Sequence, residues 1–125
     1  MEVRQGEVYH VDLPEREDLP EGWESGPSGP HPVVVISHDS RNASDINTVA
    51  VCVLTHNLDR GDDRGNVTLS PREANLPRQS VVNVSQILTL DKRFLGRLYG
   101  QVDLATMRSI LQGIHEMLEG YKVPY

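Results

Sequence analysis

The densest apolar run in the chain is His31-Pro32-Val33-Val34-Val35-Ile36-Ser37, short and rich in β-branched side chains. Such a run predicts a central strand buried on both faces. Pro32 cannot donate to a sheet ladder and is best tolerated at the start of a strand. His31, kept extended by the proline after it, is therefore expected at the strand mouth. A side chain there is fixed by the sheet and left accessible by the preceding loop, as functional groups often are; placement by chance is the plain alternative. Residues 48–55, Thr48-Val49-Ala50-Val51-Cys52-Val53-Leu54-Thr55, form a second β-prone run, predicted to lie antiparallel to the first. Residues 5–13 alternate weakly between polar and apolar, as a half-buried first strand would. Shorter strands are predicted at 66–69 and 80–84, separated by Pro71 and Pro77, with one more over 97–102.

The period changes near the end. Leu104, Met107, Ile110, Leu111, Ile114 and Leu118 recur at three- and four-residue steps, which predicts one amphipathic helix over 103–119. Asp103 suits its N-cap and Gly120 its stop. Residues 38–47 and 59–65 are polar and turn-like. Residues 14–30 are acidic and rich in proline and glycine, and read as one long loop, either a functional lid or a disordered segment. A length of 125 residues suits a single domain spanning 1–125 with a core of its own. The fold class expected is mainly β with a C-terminal helix, a small, partly open antiparallel β-barrel with the helix packed on it.

Charge alters this picture in one place. The net charge of -6 would argue against a nucleic-acid partner, but residues 1–30 hold eight acids and two bases while the rest of the chain is neutral. Phosphate contacts depend on local basic patches, and Lys92, Arg93 and Arg97 form the only dense one, a phosphate track or simply a solvated surface. The single cysteine, Cys52, permits no internal disulfide and sits in an apolar run, as a buried thiol does. Neither a signal peptide nor a membrane-spanning run is evident, so a cytoplasmic protein is expected. The five histidines lack metal-ligand spacing, so neither a metal nor another cofactor is expected. His10, His38 and His115 have no partner pattern and are expected to be structural or exposed.

Four stretches together resemble the MazF/PemK family of bacterial toxins. They are residues 4–13, Arg4-Gln5-Gly6-Glu7-Val8-Tyr9-His10-Val11-Asp12-Leu13; residues 32–37; residues 49–55; and residues 80–96, with Gln86-Ile87-Leu88-Thr89-Leu90-Asp91-Lys92 and Leu95-Gly96 the most specific part. The resemblance implies an SH3-like or CcdB-like barrel and a homodimer without a membrane segment. It also implies metal-independent, sequence-specific cleavage of single-stranded RNA, and neutralisation by a MazE-like antitoxin. The family's main catalytic residue is an Arg directly before the proline that opens the central strand; His31 stands there in this chain. Thr55 stands where the family has its catalytic Thr. The family often has Arg where this chain has Leu88, and some members carry Arg and Asp at the positions of Asn83 and Ser85.

Cleavage of RNA by its own 2′-hydroxyl needs a base, an acid for the leaving oxygen, and charge or donors for the phosphorane. Arg supplies charge but titrates too high to be an easy base, whereas His can serve as acid or base. His31 and Thr55 are accordingly the expected catalytic pair, Thr55 donating to a phosphate oxygen. Expected substrate contacts are Trp23, Glu24, His56, Asn83, Ser85 and Gln86. Trp23 could stack on a base or anchor its own loop, and Gln86 could read a base edge or cap a turn. His56 would be a second titrating group if the strand ends by Thr55, since successive strand side chains point to opposite faces. A non-catalytic protein on the same barrel, poisoning gyrase or only binding RNA, is the alternative.

Overall fold

A computed structural model describes residues 2–18 and 27–120. Six strands, β1 (Glu7–Leu13), β2 (Gly29–Val35), β3 (Thr48–Thr55), β4 (Val67–Thr68), β5 (Val81–Asp91) and β6 (Leu98–Gln101), form one curled antiparallel half-barrel in the order β4-β5-β3-β2-β1-β6. Two α-helices, the short α1 (Asp39–Asn42) and the long α2 (Leu104–Glu119), and four short 3-10 turns complete the described chain. Alternation along the central strands divides the core. Val8, Val34, Cys52, Leu54, Val82 and Val84 point toward Met107 and Ile110 of α2. Tyr9, Val11, Val33, Val35, Val49, Val51 and Val53 fill the other face. The 31–37 run is thus central and buried on both sides, as its composition dictates. Burial pushes the Cys52 thiol up to about 12, which leaves it inert as a nucleophile.

Several boundaries differ from those expected. β2 begins at Gly29, so Pro30 and Pro32 both lie inside it. The backbone of His10, opposite Pro32, makes its bonds toward β6, donating to the Arg97 carbonyl and accepting from Gly96 N–H. The imide nitrogen of Pro32 therefore faces away from β1, toward a β3 whose ladder with β2 has already ended at Val33 and Val53. A missing donor is harmless there. β5 runs on to Asp91, well past the expected residue 84, because residues 87–91 continue to pair with Cys52 back to Thr48. Residues 84–86 form a bulge that breaks the alternation and hides this strand from a period-two reading. The 38–47 turn contains α1, capped by His38, whose Nδ1 accepts from Ser40 N–H.

α2 starts and stops where expected, with the Asp103 carboxylate accepting from Thr106 N–H at 2.8 Å. Its buried stripe is Met107, Ile110 and Gly113, flanked by Ile114 and Met117. Leu104, Leu111 and Leu118, seven residues apart, lie off that stripe and are exposed. Gly113 explains the rotation. A Cβ at Gly113 would run into the carbonyl oxygen of Gly65, so the helix turns its smallest residue toward the β4 loop. No helix among the described residues is long and apolar enough to cross a membrane.

Candidate active site

β2 and β3 pair through Val33↔Val53, Val34↔Cys52 and Val35↔Val51, then part. His31 and Thr55 each lie two residues beyond the last pair of this ladder, and Thr55 is paired on its other side with Val81 of β5. The parted strands leave the Leu54 carbonyl without a ladder partner on this side, and His31 takes it: Nδ1–H donates to Leu54 O at 3.1 Å. A carbonyl only accepts, so Nδ1 carries the proton and neutral His31 keeps its lone pair on Nε2. Thr55 Oγ1 accepts from Asn57 N–H at 3.2 Å, which turns the chain after β3 and leaves the hydroxyl hydrogen to donate elsewhere.

A cleft of about 180 Å³ opens at this strand end, lined by His10, Pro30, His31, Pro32, His56, Pro77 and Tyr99. Three prolines make its walls stiff. His56 follows Thr55 directly after the strand has ended and lines the cleft, whereas Thr55 is not among the residues that line it. Its Nδ1 lies 3.5 Å from Ser80 Oγ. Ser80 Oγ gives its own hydrogen to Arg78 O at 3.1 Å, so it can only accept from His56 Nδ1–H, and the lone pair again falls on Nε2. Partial burial lowers the His56 pKa, with the charges of Arg78 and His31 adding to the effect. The neutral imidazole is therefore favoured.

His10, expected to be merely structural or exposed, also lines the cleft. Its Nε2–H donates to Asp12 at 2.9 Å, and its Nδ1 lies 3.4 Å from the Tyr99 hydroxyl. Arg97 packs over the Tyr99 ring, 5.4 Å from its centroid. The segment before β5 is tied to the same wall. Asn75 donates to Tyr99 O, and Ala74 and Asn75 take left-handed backbone (φ 53° and 57°) beside Gly100, where a Cβ would lie 2.7 Å from Ala74 O. That docking carries Pro77 and Arg78 to the cleft. Nothing local in the sequence marks His10 or Tyr99; only the pairing of β1 with both β2 and β6 brings them in.

The remaining expected residues divide. Asn83 pairs with Val53, one step along the face that holds Thr55, and its side chain accepts from Ser85 Oγ at 2.8 Å. Ser85 and Gln86 belong to the bulge. Trp23 and Glu24 lie outside the described residues. Of the basic patch, Lys92 is committed to structure, donating to the Asn42 and Ser44 carbonyls at the end of α1, and Arg93 stacks over Phe94. Among the described residues no group of three or more His, Cys, Asp or Glu is arranged to hold a metal ion.

A curled antiparallel sheet backed by one C-terminal helix, with imidazoles gathered where its central strands part, defines a small half-open β-barrel with a histidine-lined cleft at one strand end. The chain belongs to the PemK-like, MazF-like toxin family of type II toxin–antitoxin systems, whose family model matches residues 4–118. It is 37% identical over 119 residues to endoribonuclease MazF6 of Mycobacterium tuberculosis, which covers 95% of this chain and 99% of that protein. Among solved structures, an endoribonuclease in complex with its cognate antitoxin from a mycobacterial species matches at a TM-score of 0.73 and 27% identity, over 98% of each chain. MazF from Deinococcus radiodurans matches at 0.74 with 17% identity, over 95% of this chain and 98% of that one, a likeness of fold alone.

Proposed function

We propose that this chain is a cytoplasmic, sequence-specific endoribonuclease toxin, acting over 1–125 as one unit and as a homodimer, restrained by a cognate antitoxin. It cleaves single-stranded RNA without metal. The observation that carries the reading is the cleft lined by His10, His31 and His56 where the ladder between β2 and β3 stops, with Thr55, next to His56 in sequence, at the end of β3. The substrate's 2′-oxygen attacks the adjacent phosphorus, the bond from phosphorus to the 5′-oxygen breaks, and the products are a 2′,3′-cyclic phosphate and a 5′-hydroxyl. Thr55 donates its hydroxyl hydrogen to a non-bridging oxygen of the phosphorane. His31, standing where the family resemblance implies an Arg, exchanges a proton through Nε2 and substitutes proton transfer for part of the charge stabilisation an Arg would give. His56, Asn83, Ser85 and Gln86, together with Trp23 and Glu24 of the acidic loop, contact the RNA. Relatives named as endoribonucleases do not favour a gyrase poison or a passive RNA binder.

The test is direct. Purified protein, freed of antitoxin, is incubated with a long unstructured RNA in the presence of a chelator, beside Thr55→Ala, and the product ends are identified. Cyclic phosphates from the wild type, with cleavage by Thr55→Ala reduced roughly 100-fold, are expected. Intact RNA with folded wild-type protein, with and without magnesium, overturns the reading.

A further inference from the structure

We propose that His56 and His31 work as a two-imidazole acid–base pair, His56 Nε2 taking the proton from the 2′-hydroxyl and His31 Nε2–H giving one to the departing 5′-oxygen. This rests on the endoribonuclease reading above and assigns His56 a catalytic role beyond substrate contact.

Three observations carry it. Both rings line the same cleft. Each is tethered through Nδ1, His31 to the Leu54 carbonyl and His56 to Ser80 Oγ, so both leave Nε2 as the atom free for chemistry. The tethers are unlike in kind. His31 is held by a backbone carbonyl, a strong acceptor that fixes the ring and leaves Nε2 for the chemistry of the cleft. Ser80 is a weaker acceptor at longer range, and Arg78 on the same loop opposes a second proton on His56. The asymmetry sets the direction: His56, whose neutral form is favoured, is the base, and His31 takes the acid's place. In one turnover the 2′-oxygen forms its bond to phosphorus, its proton passes to His56, the bond to the 5′-oxygen breaks, and His31 protonates that oxygen. Exchange with water then restores both rings.

His10 does not compete for either role. Its Nε2–H is held by Asp12 and its Nδ1 faces Tyr99, so both nitrogens are occupied. The titratable and charged groups around the pair are His10 from β1, Tyr99 from β6 and Arg78 from the loop before β5, with Asp12 bonded to His10 and Arg97, just before β6, over the Tyr99 ring.

The experiment uses an oligonucleotide carrying the junction mapped for the wild type, made with oxygen or with bridging sulfur as the 5′-leaving atom. A thiolate leaves without a proton, so sulfur relieves the need for an acid and not for a base. His31→Ala should lose roughly 100-fold or more on the oxygen substrate and return to within tenfold of wild type on sulfur. His56→Ala, and His56→Gln, which keeps a hydrogen-bonding group but cannot titrate, should lose cleavage on both. Folding of each variant is checked by circular dichroism. Wild-type rates in both His56 variants overturn the pair while leaving the endoribonuclease reading intact. Sulfur rescue of the His56 variants and not of His31→Ala reverses the roles and overturns the assignment. A wild type that cuts no RNA overturns the underlying reading itself.

Discussion

The same two strands behave in opposite ways at their two ends. From Val33 to Val35, β2 is paired on both sides with fully buried side chains, and it divides two apolar clusters. Two residues earlier the ladder to β3 has stopped, prolines replace donors, and a backbone carbonyl is bonded by a histidine ring in place of a neighbouring strand. Closed pairing makes the core, because a buried backbone group left without a partner is costly. Interrupted pairing makes the cleft, because it exposes groups that a side chain can use. The difference teaches that the candidate site is a consequence of where pairing ends, and needs no separate element to build it.

The largest effects expected are those that separate the two ends. Ile110, fully buried between α2 and the sheet, should cost about 2–5 kcal/mol of stability as Ile110→Ala, with cleavage per folded molecule unchanged. His31→Ala should do the reverse, removing cleavage while the denaturant midpoint stays near wild type. Urea unfolding beside single-turnover cleavage measures both; a loss of cleavage in Ile110→Ala at full folding would break the separation. A smaller effect belongs to the α2 cap. The Thr106 backbone N–H holds the Asp103 carboxylate below its usual value. Its charged form is therefore favoured in the folded state, and the stabilisation is present above the unfolded value and lost as pH falls through the folded one. Asp103→Ala should lower the Tm slightly near neutral pH and by less in acid, read by thermal melts across that range. A deficit that does not shrink in acid would remove the carboxylate from the explanation.

What could be read from the sequence follows this division. β3 was legible to the residue, since an unbroken β-branched run needs no tertiary information. α2 was legible at both ends, where a cap and a glycine act locally, but its buried face was not. Gly113 docks on Gly65, a contact far apart in the chain, and that contact turns Leu104, Leu111 and Leu118 outward. β5 was read short because its bulge interrupts the alternation with Asn83, Ser85 and Gln86. Family resemblance singles out His31 and Thr55; His31 lines the cleft, and Thr55 closes β3 without being among the residues that line it. His10 and Tyr99 were invisible for a plain reason: their roles come from β1 pairing with β2 on one side and β6 on the other.

We attribute the chemistry at position 31 to an imidazole where the family resemblance implies a guanidinium. The measurement that tests this attribution most directly is the pH dependence of single-turnover cleavage by the wild type beside His31→Arg, on one RNA. A wild-type rate that depends on imidazole protonation should change near neutral pH, and the protonation step assigned to residue 31 should vanish in His31→Arg while cleavage persists at a lower rate. A flat wild-type profile, or the same profile in both proteins, would contradict it.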